Sequence, residues 1–409
     1  MVLPFATLPA PEGGQPHGAI RMALEAVRKH LGMEVAYVSE FVDGRSVFRE
    51  VDAPGLEALI KVGDSRSLDD VYCRHILAGR LPELIADTAD YPLAVSMPIT
   101  RAVPIGAHAS VPIRLADGRP YGMFCCLSPD PNHSLNQRDL QVMKAFAEVA
   151  AHQIRRDVAA EQEVSQARAQ IEQVIEQDLF TIAYQPIFSF EPFEVMGFEA
   201  LSRFSPQPYR SPDLWFEQAA WAGCGVTLEL AAIRKAVGAF RTLPDSAFLS
   251  VNAAPGTIAS GQLGGALRGM PMNRLVIEVT EHVAVQDYGR LGAELSALRR
   301  LGARIAVDDA GAGYAGLQHI LQLQPDIIKF DRTITRAVDQ DLARRAMVSA
   351  LRHFARDTGS QIVAEGVETQ PELAALIALG VNKGQGYLIG RPLDLAGARA
   401  LLMPQRLAA

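Results

Sequence analysis

Six apolar runs in the second half of the chain each end in a polar residue. Val195-Met196-Gly197-Phe198 runs into Glu199, and Phe248-Leu249-Ser250-Val251 into Asn252. Leu275-Val276-Ile277 runs into Glu278, and Ile305-Ala306-Val307 into Asp308-Asp309. Ile327-Ile328 runs into Lys329, and Ile362-Val363-Ala364 into Glu365. One polar residue after a strand is ordinary, and Asp or Asn there can cap a following helix. Glu and Lys do not suit that role, so the series points to a set. If these runs are strands of one barrel, their ends gather at one mouth, where such folds place their sites. Carboxylates with no His and no Cys among them form a hard oxygen donor set, suited to Mg2+ or Mn2+ rather than zinc. Asp308 and Asp309 would repel each other unless cations screen them. Two ions ~3.5–4 Å apart could share an oxygen of Asp308, the usual device for hydrolysing phosphoryl esters. Lys329 could then orient the attacking water or offset charge in the transition state. The segment Ala310-Gly311-Ala312-Gly313-Tyr314-Ala315-Gly316 that follows reads either as a tight turn or as a mobile loop beside the ligands.

The elements that must hold these residues follow from periodicity. Strands are expected at Thr181–Pro186, Glu194–Ala200, Ala247–Asn252, Leu275–Glu278, Arg304–Asp308, Ile327–Lys329, Gln361–Glu365 and Gly386–Leu388. Helical stretches fit between most of them, the count and length of a (β/α)8 barrel. Upstream, Gln137–Phe180 has neither Pro nor Gly. A helix of ~40 residues there would be ~60 Å long. Val164, Ala167, Ile171 and Val174 are spaced by three, four and three, as in a coiled-coil seam. That spacing predicts a connector helix that pairs with a second copy of the chain, the alternative being an amphipathic helix that lies on its own domain. Further upstream, helical spacing covers Gly18–Leu31 and a second helix is expected over Leu68–Leu77. Strands are expected at Glu34–Phe41, Ser46–Val51, Glu83–Ala86, Ala109–Leu115 and Tyr121–Leu127, with hairpin turns at Asp43-Gly44 and Asp117-Gly118.

The chain has 409 residues, enough for two or three domains. With 39 basic and 46 acidic residues interspersed, it carries a net charge of -7 and no basic block of the kind that binds nucleic-acid polymers or membranes. An anionic substrate would therefore need metals to draw it in. The cysteines Cys73, Cys125, Cys126 and Cys224 form no CxxC pair and no zinc set, which fits a reducing compartment. No secretory leader is recognisable and no uncharged apolar run is long enough to span a membrane, so a cytoplasmic protein is expected.

The motifs resemble the EAL family of cyclic di-GMP phosphodiesterases. Glu199-Ala200-Leu201 continues to Arg203, and Tyr184-Gln185-Pro186-Ile187, Val251-Asn252, Glu278-Val279-Thr280-Glu281 and Asp308-Asp309 fit the pattern. So do Ile328-Lys329-Phe330-Asp331, Glu365-Gly366-Val367-Glu368, Gln385-Gly386-Tyr387 and Gly390-Arg391-Pro392. The resemblance implies hydrolysis of cyclic di-GMP to linear 5'-pGpG with two Mg2+ or Mn2+ ions, and the all-oxygen ligand set predicts inhibition by the larger Ca2+, whose longer bonds would misplace the water. It implies that Glu199, Asn252, Glu278 and Asp308 hold one ion, and Asp308 and Asp309 the other, with Glu365 reaching it directly or through water. Lys329 would contact the attacking water, making Lys329, Glu365 and Glu199 the catalytic group. Gln185, Leu201, Arg203, Glu368 and Gln385 would line or support the dinucleotide pocket, and Glu281 would anchor the loop after Asp309. The first barrel strand would run antiparallel to the rest. The loop departs from the family pattern at Ala310, Ala312, Ala315 and Gly316, which bears on loop dynamics and dimer coupling. Retention of the nucleotide without turnover is the alternative function.

The N-terminal part resembles a GAF sensory domain through its order of elements and through Tyr72-Cys73 followed by Leu84-Ile85-Ala86-Asp87. An α/β chain is thus expected: a flexible leader at 1–15, a GAF-like α+β domain at 16–156 with an unknown ligand, a connector helix at 157–177 and a TIM-barrel variant at 178–409. The GAF domain would regulate the barrel in a homodimer. Cys73 is expected half-buried, and Cys125 and Cys126 as one core and one surface residue.

Overall fold

The computed structural model describes residues 18–280, 287–310 and 320–403, and for Asp309 and Ala310 the backbone alone. The expected leader falls outside these residues. The chain divides into two compact units, Met1–Glu163 and Val164–Ala409.

The first unit is built on a six-stranded antiparallel sheet in the order β3-β2-β1-β6-β5-β4. The strands are β1 (Val35–Val42), β2 (Arg45–Asp52), β3 (Ser65–Ser67), β4 (Leu84–Ile85), β5 (Ala107–Arg114) and β6 (Pro120–Ser128). Asp43 and Gly44 both take positive φ, 48° and 75°, as a two-residue hairpin turn requires. The helix Gly18–Leu31 buries Ile20, Ala23, Leu24, Val27 and Leu31, the expected stripe, against one face of the sheet. The start of the helix Gln137–Glu176 covers the same face through Leu140, Met143, Ala147 and Ile154. The opposite face, with Tyr37, Met123 and Cys125, lies under the short helices Tyr72–Leu77 and Pro92–Ser96. Because both faces are covered, Cys125 and Cys126 point opposite ways yet are both buried, which corrects the core-and-surface expectation. Cys73 is fully rather than half-buried. The second helix begins at Tyr72, four residues later than its apolar pattern suggested.

The helix Gln137–Glu176 has the expected 40 residues, but its apolar seam has a different use. Ala167, Ile171 and Val174 are buried in the second unit among Phe204, Trp215, Ala219 and Leu228. They are not left to a second copy of the chain. Trp215 supplies the large apolar surface that the seam needed, and its distance along the chain hid the pairing.

The second unit is a closed eight-stranded barrel in the order β10-β11-β12-β13-β14-β7-β8-β9. The strands are β7 (Phe180–Phe190), β8 (Phe193–Phe204), β9 (Phe248–Ala253), β10 (Leu275–Val279), β11 (Arg304–Ala310), β12 (Ile327–Phe330), β13 (Gln361–Ala364) and β14 (Lys383–Gly384). β7 runs antiparallel to both neighbours, β8 and β14, and every other pair is parallel. The last strand is not Gly386–Leu388. It is the two-residue Lys383–Gly384, pairing Gly384 with Ala364 and Phe188. A Cβ at Gly384 would come within 2.8 Å of the Ala364 carbonyl oxygen, so the strand closes the barrel at a residue with no side chain to carry a pattern. Tyr387, in the expected strand, is 55% exposed.

Alternation along the strands sorts the barrel into layers. Ile277, Val279, Ile305, Val307, Ile328 and Phe330 face outward into the main core with Leu291 and Leu295. Ile187, Val276, Ala306, Ile327 and Val363 form a separate apolar floor inside the barrel. Two residues further on, the same inward face presents Glu278, Asp308, Lys329 and Glu365. On β7, which runs the other way, Gln185 stands two residues before Ile187.

Candidate active site

The inward layer above the floor is charged and buried. Lys329 is 1% exposed, Glu278 1% and Glu199 5%. The Lys329 ammonium lies 2.5 Å from Glu365, 2.7 Å from Glu278, 3.2 Å from Asp308 and 3.4 Å from Glu199. Asn252 donates its amide to Glu199 at 3.0 Å. Gln385 donates to Glu199 at 2.5 Å and to Glu365 at 3.1 Å. The Ser250 hydroxyl donates to Glu278.

Four carboxylates around one ammonium leave three negative charges in excess when all are ionised. Burial works against the charged Lys329, yet the carboxylates led by Asp308 hold it well above the usual lysine range. Burial pushes Glu278 up to about 8; Lys329 pulls against this while Glu199 and Asp308 add to it. Burial, reinforced by Asp308, likewise holds Glu365 well above the carboxylate range. Burial also pushes Glu199 up, but Lys329 and the amides of Gln385 and Asn252 outweigh it and leave Glu199 below its ordinary value. The cluster is therefore short of positive charge.

The donor set fits a hard divalent cation. Glu199, Glu278 and Asp308 each bring an oxygen to within 4.8 Å of the others. Among the described residues the Oε1 of Gln385 is buried without a partner, an acceptor that a water carried by a cation would satisfy. Glu199 and Asp308 line a cavity of about 750 Å3 together with Leu201, Arg203 and Asn252.

The expected residues thus divide into groups. Glu199, Asn252, Glu278, Asp308, Lys329, Glu365 and Gln385 come together in one bonded cluster. Leu201 and Arg203 line the cavity. Gln185 is buried and donates to the Gly390 carbonyl at 3.3 Å, and Glu368 is exposed. Glu281, the side chain of Asp309 and the glycine-rich segment after it lie outside the described residues. Ser250 escaped the sequence reading, although it precedes Asn252 by two and so shares its inward face. Glu229 escaped it too. This carboxylate lines the cavity and accepts from the Ala254 amide at 2.9 Å. Burial raises it despite that bond and another from Thr257. Its signal was a helix face, not a strand end.

Among the described residues no helix is long and apolar enough to cross a membrane. Residues 15–155 match the family model of the GAF domain, and residues 168–392 that of the EAL domain. A cyclic di-GMP phosphodiesterase from Pseudomonas aeruginosa, NbdA, is 29% identical over 61% of this chain and 33% of its own length. A probable cyclic di-GMP phosphodiesterase from Escherichia coli, PdeA, is 38% identical over 30% of this chain and 17% of its own. The chain spans 28–40% of the length of the first curated relatives it matches. Among solved structures, the phosphodiesterase PaMucR in complex with c-di-GMP is 27% identical, with a TM-score of 0.52 over 57% of this chain and 99% of that one. The EAL enzyme Bd1971, with cAMP and cyclic-di-GMP bound, shares the fold across 91% of this chain and 93% of its own at 20% identity and a TM-score of 0.57. With its barrel matched over more than half of the 409 residues and a GAF domain ahead of it, the chain belongs to the EAL domain family.

Proposed function

We propose that this protein is a phosphodiesterase that hydrolyses cyclic di-GMP to linear 5'-pGpG with two divalent ions, Mg2+ or Mn2+. The observation that carries this is the convergence of Glu199, Glu278 and Asp308 to within 4.8 Å of one another, with Glu199 and Asp308 lining the cavity. The cyclic di-GMP phosphodiesterases among its relatives supply the substrate.

Glu199, Asn252, Glu278 and Asp308 would hold one ion, and Asp308, Asp309 and Glu365 the other. Two such ions supply an activated water and stabilisation of the leaving oxygen. The chain's own residues do the rest. Lys329, already ringed by carboxylates, keeps a fixed positive charge beside the reacting phosphate and orients the water. Water would add to phosphorus, the P–O3' bond would break, and the 3' oxygen would leave as a hydroxyl with a proton taken from solvent. Glu365, bonded to Lys329 and Gln385 in the metal-free cluster, would accept the proton that the water gives up. Ser250 holds Glu278 in one rotamer, and Gln385 ties Glu199 to Glu365. Arg203 and Leu201, lining the cavity, would bind the dinucleotide, with Gln185, Glu368 and Gln385 supporting them and Glu281 anchoring the adjoining loop. The N-terminal GAF domain would bind a ligand and govern turnover in a cytoplasmic homodimer. The seam at Ala167, Ile171 and Val174 is already covered, so such a dimer would form through other surfaces.

The test is to incubate the purified chain with cyclic di-GMP and Mg2+ or Mn2+, then measure binding and linear product. Metal-dependent product is expected. Binding without product would mark a receptor, and neither would remove the nucleotide from the function.

A further inference from the structure

The cavity extends from the carboxylate cluster to a helix that the chemistry above does not use. Pro212–Trp221 turns one face inward, burying Trp215 and Ala219 among Phe204 and Leu228. Asp213, Phe216, Glu217 and Ala220, spaced by three, one and three, form a second face that lines the cavity. Phe216 is half-buried and held edge-on by Phe204, 5.8 Å between ring centroids at 76°. Asp213 and Glu217 flank it, exposed, and neither enters a hydrogen bond or ion pair within the described residues. A fixed aromatic ring between two uncommitted carboxylates suits a planar base with adjacent N–H donors. Guanine presents N1–H beside its 2-amino group, whereas adenine presents an acceptor at its own N1. An ionised carboxylate accepts only, so it can take both guanine donors and repels the adenine edge.

We propose that Asp213, Phe216 and Glu217 form the subsite that reads one guanine of the substrate. This rests on the proposed cyclic di-GMP phosphodiesterase activity and deepens it. Phe216 carries the base by stacking, and the two carboxylates determine which base is accepted.

The experiment compares kcat/KM for cyclic di-GMP and for its inosine analogue, which lacks only the 2-amino groups. The enzymes are the wild type, the double variant Asp213→Asn/Glu217→Gln, and Phe216→Ala. The wild type should prefer the guanine substrate by about tenfold or more, since the analogue leaves a carboxylate contact unmade. The double variant should bring that preference to within about threefold, chiefly through KM. Phe216→Ala should raise KM for both substrates alike. A double variant that is folded by thermal melting and keeps the wild-type preference overturns the subsite. Absence of any turnover or binding of cyclic di-GMP by the wild type overturns the phosphodiesterase activity, and the subsite with it.

Discussion

The barrel and the N-terminal sheet both bury polar groups, but of different kinds. In the barrel, Glu199, Glu278 and Lys329 are ionisable, and each is tied to its neighbours by short bonds. In the N-terminal unit, Ser39 and His108 are buried, and among the described residues the Ser39 hydroxyl and the His108 Nδ1 find no partner. A buried ion without a counterpart costs several kcal/mol, so a chain that keeps one must build a network around it. A lone buried hydroxyl costs about 1–3 kcal/mol, which a packed domain absorbs. The barrel interior is thus organised for charge, and the N-terminal interior for packing.

The largest effect that would break this contrast is on catalysis. Glu199→Ala or Asp308→Ala should lower turnover of cyclic di-GMP on the order of 10³-fold, because each removes a converging oxygen. Steady-state rates near wild type would take the cluster out of the chemistry. Turnover should also vanish when Ca2+ replaces Mg2+ or Mn2+ after chelation, since Ca2+ takes more ligands at longer distances and would misplace the water. Full activity in Ca2+ alone would contradict the hard two-ion site.

Next in size is stability. Lys329→Ala leaves the buried carboxylates without their cation and should cost about 3 kcal/mol in metal-free protein. Urea denaturation with and without Mg2+ checks this, and Mg2+ should restore part of the loss. An unchanged midpoint would mean that the ion pairs are not needed to hold the layer together.

A smaller effect follows from protonation. Glu278, pushed up to about 8 from 4.5, keeps a proton in the folded barrel that the unfolded chain has already released. Metal-free stability should therefore be highest near pH 4.5 on this account and fall as pH rises to 8. Glu365 acts in the same direction, and Glu199, lowered, acts only below that window. Saturating Mg2+ should flatten the slope in thermal melts, and a rise in metal-free stability over that range would contradict the charge excess.

Ser39→Ala gives the smallest change. Removing an unpartnered hydroxyl should shift stability by no more than about 1 kcal/mol, in either direction. A loss of several kcal/mol would show that the N-terminal interior is a network like the barrel's.

Much of this was legible in the chain because buried charge leaves a mark. Four inward strands end at or near a residue able to join the network, Glu278, Asp308, Lys329 and Glu365, and these stand out against apolar runs. So does Glu199, which lies inside a β8 that runs on to Phe204 where its strand was expected to stop at Ala200. The antiparallel β7 came through the family resemblance, since no periodicity marks strand direction. Lys383–Gly384 was missed because its closing residue has no side chain, and Gly386–Leu388 offered a more apolar decoy. The seam of Ala167, Ile171 and Val174 was correctly read as apolar but assigned the wrong cover. Spacing reports that a face must be buried, not what buries it, and Trp215 lies far along the chain. Ser250 and the face of Asp213, Phe216 and Glu217 were missed because each is unremarkable until the barrel closes and the cavity appears.

The most direct measurement is the appearance of linear 5'-pGpG when the purified chain meets cyclic di-GMP. Product should form with Mg2+ or Mn2+, stop on chelation, and fail to form in Asp308→Ala protein that still folds. No product from the wild type under any GAF-domain state, with both metals supplied, would contradict the assignment of the charged layer as a catalytic centre.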